Sequence, residues 1–414
     1  MTPQIKQRIE QIQRGEVPEG YKKTKVGIVP SEWIESSLGI YLQEHKKLSN
    51  EIGKYPVYSS SRQGLIPQSQ YYDNREAVET NLGYKIVPNG YVTYRHMSDD
   101  DIFHFNVNGT GSEILVSSEY PVFTSTSKGV LGYIIPMLNN SARFRYFCRT
   151  QKMGGTRTRL YYKNLCTYKA AFPTNPEQEK IAEILSAQEK LIALKEKLIE
   201  EKKRQKKALM QQLLTGKKRL PGYSDEWKPT KLKKLLKERK TYSQKGLEYP
   251  HVTLSTDGIY AKTERYDREH LVKSEDKEYK ITHKGDICYN PANLKFGVIC
   301  VNMFGDAIFS PIYVTFEVQK GVDLGFLSNY LMRWDFINAV RKYEEGTVYE
   351  RMAVKPEDFL KFEIKLPSIE EQKAISKILS LYDSEIELLK NDLDQEKQKK
   401  KALMQLLLTG ILRV

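Results

Sequence analysis

Between Ile375 and Leu407 the seam positions of the chain alternate by four and three residues: Ile375, Leu379, Tyr382, Ile386, Leu389, Leu393, then the polar Glu396 and Lys400, then Leu403 and Leu407. This is a heptad seam, the pattern of a long helix that lies along another helix. The same rhythm runs earlier, through Ile181, Leu185, Gln188, Ile192, Lys195, Ile199, Lys202, Lys206, Leu209 and Leu213. Both seams are apolar at their ends and turn polar in the later middle. Thr174 and Ser368 stand at plausible N-caps, and Gly216 and Gly410 suit the C-terminal stops. A run of about 36 helical residues spans about 54 Å. Over residues 21–172 and 217–366 the texture changes. Short runs rich in Tyr, Phe, Val, Ile and Thr, such as KYPVYSSS at 54–61, GYVTYR at 90–95 and SPIYVTFEV at 310–318, are broken by Gly, Pro and Asn. These predict strands and turns, with shorter helices such as Leu324 to Lys342 among them.

The two halves repeat. PTNPEQEKIAEILS at 173–186 returns as PSIEEQKAISKILS at 367–380, and KKALMQQLLTG at 206–216 returns as KKALMQLLLTG at 400–410. The offset is 194 in both cases, no gap is needed, and about 20 of about 44 positions are identical. PSEW at 30–33 maps onto SDEW at 224–227 by the same shift, while the stretches between barely match. Two copies are too few for a solenoid. They predict a pseudo-dimer within one chain, with an approximate two-fold axis. That relation favours antiparallel pairing of the two long helices. The expected fold is therefore α+β: two globular mixed α/β domains, at 21–172 and 217–366, separated by two long antiparallel coiled-coil helices at 173–216 and 367–414. An N-terminal helix in residues 1–20, with Ile5, Ile9 and Ile12 at helical spacing, should pack near the C-terminal turns around Leu403 to Leu408.

Charge narrows the partner. Against 52 Asp+Glu stand 66 Lys+Arg, a formal charge of +14, which favours a polyanion because each cation that meets a phosphate releases a counterion. The four cysteines form no C-x-x-C pair, so neither a zinc site nor a dithiol motif is indicated, and reduced thiols in a cytoplasmic protein are expected. The apolar stretch from Val130 to Leu138 is interrupted by Gly132 and Pro136 and is too short to span a bilayer.

Catalytic signatures do not assemble. Gly216-Lys217-Lys218 lacks the upstream glycine of a phosphate-binding loop. Tyr289-Asn290-Pro291-Ala292 lacks the second proline and the aromatic residue of an adenine methyltransferase motif, and no cofactor-binding glycine loop precedes it. The six histidines show no H-E-x-x-H spacing, and Asp99-Asp100-Asp101 reads as an acidic turn rather than a metal site. No cofactor or metal is expected on this chain.

The repeated segments, together with LMQQLLTGKKRLPGYSDEW at 209–227 and KVGIVPSEW at 25–33, resemble the signature segments of type I restriction–modification specificity subunits, over roughly a quarter of the chain. The resemblance implies a non-catalytic subunit in which each variable domain is a target recognition domain reading one half of a split site in double-stranded DNA. The helices would set the gap and dock methyltransferase subunits, two in number. S-adenosylmethionine, ATP and Mg²⁺ would belong to the methyltransferase and the restriction–translocation subunits. The competing expectation is a coiled-coil scaffold that binds proteins without DNA specificity.

Reading bases requires side chains on base edges, whereas phosphate contacts only position. In the first domain the candidates are Ser60, Ser61, Arg62 and Gln63, then Arg95 and His96, then Thr156, Arg157 and Arg159. In the second they are Asn290, Asn293 and Lys295, then Thr347, Tyr349 and Arg351.

Overall fold

The computed structural model describes residues 2–51, 53–68, 83–152, 156–243, 248–256, 258–262, 278–345 and 353–414. The chain divides into two compact units, Met1–Lys195 with Asp392–Val414, and Glu196–Asn391. Each is mixed α/β.

In the first unit a four-stranded antiparallel sheet runs in the order Asn106–Val107, Val92–Thr93, Val122–Ser125, Leu42–Glu44. Strand Ile34–Ser37 pairs with Lys169–Phe172, and Tyr58–Ser61/Gly64–Pro67 form a two-stranded hairpin tied to the sheet through Asn106. The core is aromatic. Tyr94, Phe105, Phe123 and Phe144 pack with Leu38 and Leu138, and Ile181, Leu185 and Leu407 of the long helices close it. The helices are α1 (Pro3–Gln13), α2 (Leu131–Asn140), α3 (Ala142–Thr150), α4 (Tyr162–Cys166) and the start of α5 (Asn175–Leu213). Pro136 is tolerated inside α2.

The second unit repeats this plan. Leu236–Glu238, Val314–Val318, Ile287–Tyr289 and Ile299–Val301 form its four-stranded sheet. Lys228–Lys231 pairs with Glu363–Leu366, and Val252–Ser255 with Gly258–Ala261. Its helices are α6 (Leu324–Leu331), α7 (Trp334–Val340), α8 (Pro356–Lys361) and most of α9 (Ile369–Leu408). The single helical stretch expected from Leu324 to Lys342 is thus two helices, because Met332 and Arg333 end one and start the next, and Arg333 turns its guanidinium to the Leu214 carbonyl (2.9 Å).

The repeat extends well beyond the segments that show it in sequence. Strands Ile34–Ser37 and Lys169–Phe172, and both strands of the hairpin at 58–67, recur at the same offset of 194 in the second unit. Tyr94 donates to the Leu160 carbonyl (2.9 Å) as Tyr289 does to that of Val354 (3.0 Å). Asn108 and Asn302 each fold a turn from the same position, the first donating to Ser112 O and the second to Gly305 O (both 2.8 Å). Elsewhere the contact is kept in place while its chemistry changes. His45 packs edge-on to Tyr91 in the first unit (5.2 Å), where Arg239 and Asp286 make a two-pronged ion pair in the second (both 2.9 Å).

The ends of the long helices are held by a repeated clamp. Glu371, 1% exposed, accepts from Arg219 Nε and Nη2 (both 2.8 Å) and from Trp227 Nε1 (3.2 Å). Glu177 accepts likewise from Arg413 Nε (2.6 Å) and Trp33 Nε1 (3.1 Å). Each member of one set maps onto the other by 194 residues, although Arg413 is far from Glu177 along the chain. The N-terminal segment joins this end: Arg8 donates to the Ile411 carbonyl (2.5 Å) and Tyr21 to that of Gly410 (2.6 Å). Gly410 has φ +71°, and a Cβ there would lie 2.6 Å from Pro30, so the helix stops on a residue that only glycine fills.

Seam positions of α5 and α9 are buried or half-buried throughout: Ile181, Leu185, Ile199 and Leu213 in one, Ile375, Leu379, Ile386, Leu393 and Leu407 in the other, with Ile192, Leu209, Tyr382, Leu389 and Leu403 half-buried. Polar seam residues find partners. In the first unit Gln188 donates to Glu396 Oε2 (2.6 Å), and Lys195 pairs with Asp392. In the second Lys202 pairs with Glu385 (2.6 Å) and Lys206 with Asp383 (2.5 Å). In both units the α9 number falls as the α5 number rises, so the two segments run in opposite senses there. Among the described residues no helix is long and apolar enough to cross a membrane.

Candidate nucleic-acid interface

Three segments chosen from sequence come together on the first unit, though they lie far apart along the chain. The Tyr58–Pro67 hairpin brings Ser61, Arg62 and Gln63 to its tip. Gly64 makes this turn possible at φ +117°, and Ser61 Oγ donates to its carbonyl (2.9 Å). Strand Met97–Ser98, following Arg95 and His96, pairs with Thr158–Arg159, next to Arg157. Ser60, Ser61, Arg62, Arg95 and His104 border a concavity of about 70 Å³. Arg62, Gln63, Arg95, Thr156, Arg157 and Arg159 are exposed.

The acidic turn Asp99–Asp101 sits among these cations. Asp99 pairs with Arg157 (2.8 Å), Asp100 with Arg62, and Asp101 with Arg149 (3.8 Å). Asp101 holds φ +62°, an unusual conformation for a residue with a side chain, and accepts from Thr158 Oγ1. Burial pulls the Asp100 carboxyl up, but hydrogen bonds from Ser98, Arg62 and the Ile102 N–H outweigh it and hold the group below its ordinary range. The side chains of Arg95 and Arg159 make no hydrogen bond or ion pair among the described residues.

Two of the chosen residues in this domain are internal. Ser60 is 5% exposed and accepts from Asn106 Nδ2 (2.8 Å); His96 is 3% exposed and stacks on Tyr161 at 5.5 Å. Ring atoms His96 Nδ1 and His45 Nε2 are buried and have no hydrogen-bond partner among the described residues. Burial disfavours the imidazolium at both, so both titrate below the usual histidine value. In the unfolded chain each takes its proton near pH ~6.5. Between that value and the lowered folded one the unfolded state binds more protons, so stability falls as pH drops through this window and is retained above it. Thermal melts should therefore show a transition that moves down from pH 7.5 to 5.5, and a His45→Gln/His96→Gln variant should flatten that shift. An unaltered shift in the variant would refute the assignment.

On the second unit Asn290 occupies the place of Arg95. It is 7% exposed and its Oδ1 accepts from the N–H groups of Ala292 (3.1 Å) and Asn293 (3.3 Å). Asn293 and Lys295 are half-buried, with the Lys295 ammonium 5.2 Å from the Phe296 ring. Thr347, Tyr349 and Arg351 lie outside the described residues. On the hairpin turn equivalent to that of Arg62 stands Thr256, exposed and not among the residues chosen from sequence. The signal was present: Ser61-x-x-Gly64 maps by 194 onto Ser255-x-x-Gly258, and Ser255 Oγ again donates to the glycine carbonyl (3.4 Å).

A family model described as "Type I restriction modification DNA specificity domain" matches this chain twice, over residues 43–204 and 224–397. The chain belongs to that family of type I restriction–modification specificity subunits. It is 25% identical over 432 aligned positions to a Methanocaldococcus jannaschii protein described as "Putative type I restriction enzyme MjaX specificity subunit", covering 96% of this chain and 97% of that protein. The MjaVIII specificity subunit of the same organism is 26% identical over 296 positions, covering 65% and 68%. Among solved structures, the type I system S subunit from M. genitalium has the same fold at TM-score 0.51 and 12% identity, over 91% of this chain and 96% of that one. A chain from a structure of type I system assembly and conformational transition gives 0.53 at 14%, over 93% and 99%.

Proposed function

We propose that this chain is the sequence-reading, non-catalytic subunit of a type I restriction–modification complex. Each variable domain, 21–172 and 217–366, reads one half of a split site in double-stranded DNA. The helical segments 173–216 and 367–414 form one antiparallel coiled coil that fixes the gap and docks two methyltransferase subunits. Those subunits supply S-adenosylmethionine chemistry, and a restriction subunit supplies ATP-driven, Mg²⁺-dependent cleavage.

The observation that carries this reading is the convergence of Arg62, Arg95, Arg157 and Arg159 from three distant segments onto one exposed face of the first unit. Arginine matches phosphate oxygens and guanine edges in a two-pronged geometry. Ser61, Gln63 and Thr156 add hydrogen-bonding tips beside them, while Ser60 and His96 support the loops from within. In the second domain Asn293 and Lys295 take the corresponding role, Asn290 holds their turn, and Thr347, Tyr349 and Arg351 complete the proposed set. A protein-binding scaffold has no need of arginines gathered in this way.

Binding to duplex DNA should weaken steeply with salt, by a log–log slope of about −0.9 for each phosphate neutralised. Fluorescence anisotropy across 50–300 mM salt measures it. A slope near zero, or no binding at low salt, would defeat the proposal.

A further inference from the structure

We propose that the Asp99–Asp101 turn is an internal stand-in for DNA phosphate: it occupies Arg62, Arg149 and Arg157 in the free protein and yields them to the duplex. The inference deepens the DNA-reading assignment of the first domain and rests on it.

The geometry is specific. One turn of three consecutive carboxylates reaches three arginines carried by three different segments: the hairpin tip, α3, and the residue leading into strand Thr158–Arg159. The turn is fixed from below. Ser98 Oγ donates to Asp100 (2.9 Å) and accepts from the Ile102 N–H (3.1 Å), and Asp101 is held by Thr158. Two of the three ion pairs are open to water, while in the third Arg149 is 63% exposed and Asp101 23%. Asp99 and Arg157 are 65% and 52% exposed, and Asp100 and Arg62 45% and 60%. Exposed pairs of this kind contribute little to stability and exchange readily. A fixed anion in solvent-exposed ion pairs is poor structural reinforcement but a good competitor for polyanions.

The functional consequence is selectivity. A phosphate must displace an aspartate before it takes an arginine, so each such contact gains less from counterion release than a free arginine would. Sequence-independent affinity is thereby lowered. Arg95, with no partner among the described residues, stays free for the base edges. The domain is then weak on DNA at large and tight only where base contacts add to the exchange. The effect sits in the ratio of specific to non-specific binding, the quantity that decides occupancy on a genome.

The test uses the full-length chain and a mixed-sequence 40-bp duplex, with anisotropy titrations over a salt series. Asp99→Asn is the principal variant, since Asp99 is exposed and supports no backbone turn. Asp99→Asn/Asp100→Asn is the stronger one. Glu10→Gln/Glu16→Gln makes the same charge change as the double variant on the N-terminal segment and is the control. The expected result is tighter non-specific binding, with the slope steepened by about 0.9 per arginine released and the control near wild type. If the control steepens as much as the double variant, the effect is net charge and the proposal falls. It falls equally if Asp99→Asn folds normally and leaves slope and affinity unchanged. A wild-type chain that does not bind duplex DNA in a salt-dependent way would bring down the DNA-reading assignment itself, and this proposal with it.

Discussion

Replacing Arg219 by alanine is expected to destabilise the second unit by about 2–4 kcal/mol, since breaking a buried ion pair leaves an uncompensated charge. Glu371 is 1% exposed, and its remaining partner would be the Trp227 indole. The arginine is itself 27% exposed, so water can enter in its place, which sets the expectation near the lower end. Two comparisons separate charge from packing. Arg219→Ala/Glu371→Leu should lose less than the single variant, because no buried charge is orphaned. Arg219→Lys should lose an intermediate amount, because an ammonium cannot make both parallel hydrogen bonds. Urea unfolding of the four proteins reads all of this. A single variant as stable as the parent would mean that the clamp does not hold the helix end.

Lengthening both long helices by one heptad is expected to change which DNA is recognised without changing either half of the site. Lys195 and Asp392 pair at the same level of α5 and α9. Seven residues inserted after Lys195 and seven after Asn391 add whole turns, so the seam stays in register. At about 1.5 Å per residue the addition is about 10 Å, or about three base pairs at about 3.4 Å per step. The recognised spacer should grow by about three base pairs while both half-sites persist. Loss of all recognition with intact folding would show that the helices do more than set a distance. An unchanged spacer would show that they do not set it.

The helices were legible because their signal is local and periodic. Every seam residue named from sequence is buried or half-buried, and the polar ones pair across the helices, as Gln188 does with Glu396. The two variable domains were legible only as textures. Their sheets join strands far apart in sequence, such as Leu42–Glu44 with Val122–Ser125, and no local pattern announces such a pairing. The depth of the repeat was hidden for a related reason. What the halves share inside these domains is single contacts, Tyr94 with Leu160 and Tyr289 with Val354, or positions whose chemistry has been exchanged, as His45–Tyr91 for Arg239–Asp286. Polar loop residues were chosen as if exposed. Ser60 and Asn290 satisfy backbone or neighbouring groups instead, and polarity alone does not distinguish a side chain that serves its own turn from one that faces outward. The acidic turn was visible in sequence, but its pairing with three arginines needed the fold.

The measurement that bears most directly on the central claim is methylome sequencing of a host carrying this chain with its methyltransferase partners. The account predicts one methylated motif made of two unlike defined halves around a spacer of fixed length, present only when the chain is expressed. A single uninterrupted motif, or methylation indifferent to the presence of the chain, would contradict it.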